Sequence, residues 1–529
     1  MTSTRGSGLR GRARIGGALI LLPPLVWACS DDSNTTTTGA GGSGGSAGST
    51  GGGSGSGGSG GAGTGGASGS AGSAGSGATG GSAGSAGSPG TDAGDAGAGP
   101  RPEIITISST GHDRFYGVAH DSAGNIFATG QVADSTASTA DYATVLVKFL
   151  PSGAKDPSFG TAGVVTYNAA VGAAGELARG MVVQSTGKIV VSASVEHAGG
   201  DPRDRDVAIM RFTQTGALDT TFGTNGVRIL DLSSGEVTTD GGSGDGGTTI
   251  VAESTWGLSV FPNDDLVVLG ARKADGRTDT DFALVKLKVD GSTDTSFATN
   301  GVFTLDINNA SASPRTATIL PDGSVVGSGY MNNGGQVPVI WKLTPAGALD
   351  TSFGVNGVFS QAVLAAATEA YGAALQGTKF VTAGYGRANT SESLDFVSIR
   401  LTEAGVLDTT YGTNGVTRID AGGFADNARG LTVLPDNRVM MIGGGRATAN
   451  DVDGMIAVLT PDGQPDIAFG TGGFRLYDMG GVSDFFWSAS VAPDKKSVAI
   501  AGIKSAGAAT DAGPTGNDDA ALLILPLVQ

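Results

Sequence analysis

One ten-residue phrase recurs six times along this 529-residue chain and limits the folds that are open to it. A well-preserved copy is LDTTFGTNGV at 218–227, and the other copies lie at 155–164, 293–302, 349–358, 407–416 and 465–474. Their central aromatic residues are separated by 63, 75, 56, 58 and 58 positions. A repeat of this length is typical of solenoids, propellers and other tandem arrays, in which each unit packs against its neighbours. The phrase therefore predicts an architecture rather than a chemical activity.

Each unit is predicted to form four short strands. In the second unit the candidate strands lie at 180–184, 188–195, 207–212 and 226–230, with turn residues between them. Gly and Pro mark most chain reversals, as in LPDG at 320–323. No segment of 103–529 has a sustained helical periodicity, so the predicted fold class is all-β.

The number of units favours a closed ring over an open β-array. The third strands are predicted to begin near seven positions: Val145, Val207, Phe282, Val339, Phe396, Met455 and Ala521. The seventh unit has no phrase and no fourth strand after it, whereas a candidate strand at 103–108 precedes the first unit. If that strand completes the last sheet, both sheet edges are paired. We therefore predict a seven-bladed β-propeller of four-stranded blades over 103–529, with the N-terminal strand closing the last blade.

The phrase, together with the FALVKL strand at 282–287, resembles the delta-60 repeat family. That family is a tandem bacterial repeat of about sixty residues whose biochemical role is not established. The resemblance covers nearly all of 103–529. It implies a β-repeat fold and supplies no catalytic residues.

The N-terminal segment is predicted to export and anchor the chain. Residues 1–28 have a basic start and an apolar run too short to span a bilayer, and they end before Cys29, the only cysteine. VWAC at 26–29 resembles a bacterial lipobox, which implies cleavage before Cys29 and its lipidation, and Ser30 favours the outer membrane. A cleaved secretory signal with a soluble product is the alternative. Residues 29–102 are rich in Gly, Ser and Ala and are predicted to form a disordered tether.

The formal net charge of −17 argues against nucleic acid as a partner. The expected partners are instead the membrane, through Cys29, and an extracellular polysaccharide or a surface protein.

The aspartate of each phrase is interpreted as a structural turn residue that accepts backbone N–H bonds. These residues are Asp156, Asp219, Asp294, Asp350, Asp408 and Asp466. The aromatic residue three positions later is expected to plug the end of its unit. A calcium site is the competing hypothesis, but one carboxylate per turn supplies too few ligands.

A position near the start of each first strand is the main candidate for ligand binding. Arginine and aromatic residues alternate there: Tyr116, Arg179, Trp256, Arg315, Tyr371, Arg429 and Trp487. First strands line the axis of a propeller, so these side chains would ring one mouth of the channel. Such a ring suits anionic or sugar-like ligands through stacking, cation–π contacts and bidentate hydrogen bonds. The alternative is that the side chains wedge between units or stack on one another.

The same mouth is predicted to carry acidic loops that could hold Ca²⁺, although a solvated rim or turn caps are the simpler interpretation. Their aspartates are Asp134, Asp141, Asp201, Asp204, Asp206, Asp275, Asp279, Asp281, Asp395, Asp451, Asp453, Asp511, Asp518 and Asp519. His112, His120 and His197 have no metal-binding spacing. No other cofactor is predicted.

Three functions are compatible with these features. The first is a non-enzymatic envelope lipoprotein whose propeller binds a polysaccharide or protein. The second is a lyase or hydrolase in which Arg179, Arg315 and Arg429 hold an anionic substrate, with Tyr116, Tyr371 or His112 as acid–base groups. The third is a purely structural or adhesive envelope protein. The sequence favours the first, because it contains no nucleophile elbow, phosphate-binding loop or paired cysteine motif.

Overall fold

The computed structural model describes 100–136, 140–169, 176–196, 205–233, 238–239, 248–249, 253–273, 277, 279–449, 451–505, 509–510, 513–514 and 517–527. The signal segment, Cys29, the tether up to residue 99, His197, Asp201, Asp204, Asp275 and Asp511 lie outside these residues. No helix in the described part of the chain is both long enough and apolar enough to cross a membrane.

The described chain is built from strands. In chain order they begin with β1 (Glu103–Ile105), β2 (Asp113–His120), β3 (Ile126–Ala133), β4 (Tyr142–Phe149), β5 (Val164–Tyr167), β6 (Leu177–Val183), β7 (Ile189–Glu196), β8 (Arg205–Phe212) and β9 (Val227–Leu230). Next are β10 (Thr238–Thr239), β11 (Thr248–Thr249), β12 (Ser254–Val260), β13 (Leu266–Lys273), β14 (Thr280–Leu287), β15 (Val302–Leu305), β16 (Ser311–Ile319), β17 (Val325–Asn332), β18 (Gln336–Leu343) and β19 (Val358–Ser360). There follow β20 (Ala367–Thr368), β21 (Gly372–Gln376), β22 (Lys379–Arg387), β23 (Asp395–Leu401), β24 (Val416–Ile419), β25 (Asn427–Val433), β26 (Val439–Thr448) and β27 (Asp451–Leu459). The last are β28 (Phe474–Tyr477), β29 (Phe485–Val491), β30 (Ser497–Ser505), β31 (Ala509–Thr510), β32 (Gly513–Pro514) and β33 (Asp518–Pro526), and Thr471–Gly473 forms one 3-10 turn.

Most strands belong to four-stranded antiparallel sheets. In four of these sheets the strands are consecutive in the chain; the sheets are β2–β5, β6–β9, β12–β15 and β25–β28. A nine-stranded sheet contains β16–β24, in which one parallel pair, Gln336 with Ala367, joins β18 to β20. The remaining four-stranded sheet has the order β1-β33-β30-β29, so a strand from the N-terminal end of the described chain completes a sheet from its C-terminal end. The pairing register there is Glu103 with Leu522 and Ile105 with Ala520.

The third strand of each unit begins earlier than the sequence predicted. β14 begins at Thr280 rather than Phe282, and β27 begins at Asp451 rather than Met455. The polar residues before each apolar run extend the ladder, because backbone pairing does not require an apolar side chain. As a consequence Asp206 and Asp281 lie inside β8 and β14, and Asp395 is the first residue of β23. The expectation that these three residues directly precede the third strand and cap its turn is therefore wrong.

The recurring phrase forms a turn that fastens each unit to the next. Gly223 and Asn225 have left-handed φ angles of 54° and 53°, which glycine and asparagine adopt readily. The Gly223 N–H donates to the Asp290 carbonyl in the following unit at 2.9 Å, and the fully buried Phe222 ring lies against Gly291 there. The equivalent N–H groups of Gly160, Ala298, Gly354 and Gly412 also donate to a carbonyl of the following unit, so these copies of the phrase share one junction geometry.

The apolar core lies between successive sheets. Phe222, Leu258 and Val285 belong to a cluster between the β6–β9 and β12–β15 sheets. Phe115, Leu522 and their neighbours form the corresponding cluster between the β2–β5 sheet and the sheet that contains β33. We call the first strand of each unit its innermost strand; these strands are β2, β6, β12, β16, β21, β25 and β29. Each innermost strand contacts the next one in chain order, and β29 contacts β2.

Candidate functional site

The candidate ring residues lie at irregular points of the innermost strands. In six of these strands the pairing register shifts at the ring residue, as between Ala178 and Gly180 around Arg179. Tyr371 lies directly before β21. A β-bulge leaves one residue without a partner and changes the direction of its side chain. This geometry differs from the sequence expectation, which placed the residues at the strand starts.

The seven side chains contact one another in an unbroken circuit. From each guanidinium carbon to the adjacent ring centroid, the distances are Arg179–Tyr116 5.9 Å, Arg179–Trp256 3.2 Å, Arg315–Trp256 4.2 Å, Arg315–Tyr371 4.2 Å, Arg429–Tyr371 4.7 Å and Arg429–Trp487 5.2 Å. An edge-to-face contact between Trp487 and Tyr116, with centroids 5.0 Å apart, completes the circuit. These are favourable cation–π and aromatic geometries.

The innermost strands approach each other closely at the next residue along the chain. A Cβ atom on Gly117 would lie 2.7 Å from the Arg179 carbonyl oxygen, and one on Gly180 would lie 2.8 Å from Leu258 Cβ. Small residues are therefore needed there, which explains why Gly or Ser follows most of the ring residues.

The circuit has two unequal arcs. Arg315, Tyr371 and Arg429 form the closed arc, in which every side chain is buried and Tyr330 and Tyr385 pack behind. In this arc Arg315 donates a hydrogen bond to the Tyr330 hydroxyl at 3.1 Å. Trp487, Tyr116, Arg179 and Trp256 form the open arc, in which all but Tyr116 remain partly exposed.

Arg179 lies between the two aromatic faces of the open arc. Among the described residues, its Nε has no hydrogen-bond partner. Removal of the guanidinium from water lowers the pKa of Arg179 to about 10. Tyr116 and Tyr371 oppose this shift, whereas the positive charges of Arg315 and Arg429 add to it. Arg179 therefore stays protonated at neutral pH in a setting that disfavours its charge.

A set of buried carboxylates beside the ring was missed from the sequence. An acidic residue lies three positions before the ring residue in five units: Asp113, Glu176, Glu253, Asp426 and Asp484. Each accepts backbone N–H bonds, as Asp426 does from Ala421 at 2.7 Å and Arg446 at 2.8 Å. In four of the five units, the bonds hold the loop that leads from one sheet to the next innermost strand. The fixed spacing from the ring residue is the signal that could have revealed them.

We call these five residues the crossover carboxylates. Burial raises the pKa of four of them. The pKa is about 6 for Asp113, about 8 for Glu253 and about 7 for both Asp426 and Asp484, in each case chiefly because of desolvation. Nearby carboxylates add to the shifts, and the backbone N–H bonds oppose them. These groups are thus partly protonated near neutral pH.

The phrase aspartates occupy a different environment. Each accepts the backbone N–H of the residue two positions later, at 3.0–3.2 Å, as Asp219 does from Thr221. Each also pairs with a basic side chain: Lys148–Asp156, Arg211–Asp219, Lys286–Asp294, Lys342–Asp350, Arg400–Asp408 and Arg438–Asp466. The hydrogen bond from Lys148 is the main reason that the pKa of Asp156 falls to about 2. Asp219 and Asp408 each pair with a second cation as well, Lys188 and Lys379, and the resulting ion pairs act as structural clamps.

The acidic loops hold two groups of carboxylates close together. Asp279, Asp281 and Asp306 form one group, and the guanidinium of Arg277 pairs with all three at 2.5–3.1 Å. Asp453, Asp478 and Asp484 form the other, in which Asp484 already accepts N–H bonds from Met479 and Ser505. Many of the carboxylate oxygens that could bind a cation in these two clusters are therefore already bonded to protein groups.

The other acidic residues of these loops have separate positions. Asp141 accepts a hydrogen bond from Asn168, Asp395 pairs with Arg418, and Asp519 accepts from Thr106. Asp134 is exposed, and Asp451 is half-buried.

The two described histidines do not come together. His112 is buried, lies 3.3 Å from Asp518 and stacks on Tyr142. His120 bonds Ser490 at the other end of β2. His112 is thus tied to Asp518 rather than to a ring residue.

Comparison with known proteins identifies the fold. Residues 184–222, 262–297 and 320–353 match the model of a β-propeller domain of unknown function, DUF5122. Each match begins after an innermost strand and ends at the aromatic residue of the phrase. With its four-stranded antiparallel sheets, the chain has an all-β fold of the β-propeller type. A search of curated proteins gives no significant match.

Solved structures of low sequence identity align over most of the chain. A protein of unknown function from Dyadobacter fermentans is 12% identical, with a TM-score of 0.41, and covers 82% of this chain and 100% of its own. The WD40 repeats of RRP9 are 10% identical, with a TM-score of 0.44 and coverages of 81% and 99%. The β-propeller domain of the Trilobed protease from Pyrococcus furiosus is 8% identical, with a TM-score of 0.37 and coverages of 75% and 91%.

Proposed function

We propose that this protein is a cell-envelope lipoprotein that displays a seven-bladed β-propeller as a non-enzymatic binding module. The ring of Tyr116, Arg179, Trp256, Arg315, Tyr371, Arg429 and Trp487 forms its binding mouth. The observation that carries this proposal is the open arc, where Arg179 stacks between Tyr116 and Trp256 and remains partly exposed together with Trp256 and Trp487. Its ligand is a polysaccharide or a surface protein.

Three features support seven blades in a closed ring. The sheet clusters of the core follow one another around the molecule and return from the last sheet to the first. The stacked side chains follow the same order, and Trp487 meets Tyr116 at the junction. The pairing of β1 with β33 is what a closed ring requires of the last blade.

The export and anchoring part of the proposal rests on the lipobox-like VWAC at 26–29 and the Gly-rich segment that follows it. Metabolic labelling with a fatty acid tests it. The native chain should be labelled and recovered with the envelope, and Cys29→Ser should abolish both. Label that persists in Cys29→Ser would exclude Cys29 as the anchor.

A structural role for the ring is the second candidate, because each ring side chain contacts both of its neighbours. The two roles predict different outcomes for Trp256→Ala and Arg429→Ala. In a binding mouth, Trp256→Ala removes ligand binding with little change in Tm. In a purely structural plug, both variants lower the Tm strongly and no ligand is found.

Binding of the purified protein to a panel of glycans and surface polysaccharides tests the proposal. Each ligand is measured with Ca²⁺ and with a chelator, because the acidic loops contain carboxylates that could hold Ca²⁺. Binding that Trp256→Ala removes at unchanged Tm supports the mouth. Binding that is unaffected by every ring substitution would place the site elsewhere, and turnover of a panel member would support the lyase or hydrolase hypothesis.

A further inference from the structure

We propose that Arg179 is the anion-recognising group of the open arc and selects a glycan that carries a single terminal oxyanion group. That group is a carboxylate or a sulfate ester on an otherwise neutral chain. This inference rests on the proposed function of the ring as a binding mouth and specifies the chemistry of its ligand.

The first argument is the difference between the three ring arginines. Arg315 donates to Tyr330, and Arg315 and Arg429 are both buried within the closed arc. Arg179 is partly exposed and stacks on Trp256 at 3.2 Å. Stacking fixes the plane of a guanidinium and leaves its in-plane N–H donors directed away from the aromatic face. Arg179 is therefore oriented in advance for a planar or forked acceptor.

The second argument is charge. The groups that act most strongly on Arg179 are Tyr116, Tyr371, Arg315 and Arg429, a set with no carboxylate. A ligand oxyanion would place a negative charge directly at the Arg179 guanidinium, through charge-assisted hydrogen bonds of roughly twice the ordinary strength. The open arc is thus a local positive site.

The third argument limits the number of charges on the ligand. The chain carries a net charge of −17, and Arg179 is the one arginine among the four residues of the open arc. The negative field of the chain would repel a polyanion along its whole length, whereas one terminal group would interact mainly with Arg179. One charge on a neutral chain is therefore favoured over a polyuronate.

A glycan is favoured over a peptide because the arginine is flanked by Trp256, Tyr116 and Trp487. Mostly apolar and aromatic walls with one well-placed charged group are typical of small-ligand sites. A sugar end, which presents a C–H face and a carboxylate on one rigid ring, fits such a wall at little conformational cost. A peptide C-terminus is the competing source of a carboxylate and enters the test as a separate probe.

The test uses the whole protein and five probes in calorimetric titrations. These are a neutral oligosaccharide with one terminal glucuronate, the same oligosaccharide ending in glucose, a fully acidic oligouronate, a neutral peptide with a free C-terminus, and sodium sulfate. The glucuronate-ended probe should bind about tenfold more tightly than the glucose-ended one, because it adds charge-assisted hydrogen bonds. It should also bind more tightly than the oligouronate at low salt, and sulfate should compete with it.

Arg179→Gln should remove this preference and leave the binding of the glucose-ended probe unchanged. Arg475→Gln is the matched control, since Arg475 also stacks on an aromatic ring, Phe469, at 4.7 Å and is not a ring residue. If Arg179→Gln does not fold, competition by sulfate in the native protein and the variant Arg179→Lys decide the question.

Three results would overturn the inference: equal binding of the two oligosaccharides, a preference that survives Arg179→Gln, or binding of the peptide alone. Equal binding that depends on Trp256 would leave the proposed function intact. If no glycan binds, either in this experiment or in the panel, both the inference about Arg179 and the proposed binding function are refuted.

Discussion

Replacement of one crossover carboxylate should change how the stability of the fold depends on pH. The pKa of Asp426 is about 7 in the native state against an ordinary value of 3.8, chiefly because the group is buried. Since the native state holds the proton more tightly than the unfolded chain, Asp426 favours folding most below pH 3.8. This contribution is lost as the pH rises to about 7. At 1.36 kcal/mol per pH unit, the difference between 3.8 and about 7 amounts to about 4 kcal/mol.

Asp426→Asn cannot titrate, so the free energy of unfolding of this variant should fall less between pH 4 and 8 than that of the native protein. The lost acceptor for Ala421 or Arg446 adds a penalty of about 1–3 kcal/mol that does not depend on pH. Urea unfolding at several pH values separates these two effects. Asp436→Asn, which removes an exposed carboxylate, is the control for net charge. A gap between Asp426→Asn and the native protein that stays constant from pH 4 to 8 would refute the reasoning.

Three further perturbations address the repeated architecture. Phe222→Ala should destabilise the protein by about 3–5 kcal/mol in denaturant unfolding, because it empties a fully buried plug, whereas Phe424→Ala at a partly exposed site should have little effect. The pKa of Asp294 is about 2, owing to hydrogen bonds from Ser296 and Lys286, so its stabilisation is present above pH 3.8 and lost as the pH falls to about 2. In Asp294→Asn the free energy of unfolding should therefore fall less between pH 3.8 and about 2 than it does in the native protein. The same pH dependence in the variant and the native protein would contradict this. Deletion of residues 103–105 should lower the unfolding midpoint and promote aggregation seen by light scattering, because it exposes the edge of β33. An unaltered midpoint would show that β1 is dispensable.

The architecture could be predicted from the sequence because the same local rules act in every unit. The phrase positions Gly223, Asn225 and Gly226 need left-handed backbone, so few residues are allowed and the repeat is visible. The nearly continuous apolar run from Val207 to Phe212 likewise indicates a strand with two buried faces. Strand starts were less accurate, because Asp281 and Asp395 pair in the ladder although their side chains are polar.

The site could be predicted only in part. The ring positions were found because arginine and aromatic residues alternate at equivalent places, but their bulges depend on pairing with a second strand. The difference between the arcs was also out of reach, since it depends on Tyr330 and Tyr385, which come from other strands of the blades. Asp113 and Asp426 were overlooked because their partners are backbone N–H groups, which leave no mark on the composition.

The chemistry of the ring argues against a role in packing alone. A bulge at each of six ring positions interrupts the ladder of an innermost strand. If the bulge at Arg179 served only for packing, leucine or phenylalanine would pack there without removing a guanidinium group from water. Burial of a charge is strongly unfavourable unless it is paired, and replacement by apolar residues often stabilises a protein. Arg315 and Arg429 are packed by the closed arc, but Arg179 is left partly exposed and desolvated beside two aromatic residues. The unfavourable desolvation of Arg179 is understandable if its guanidinium meets a counter-charge on a ligand. On this reasoning the closed arc serves packing, whereas the open arc serves binding.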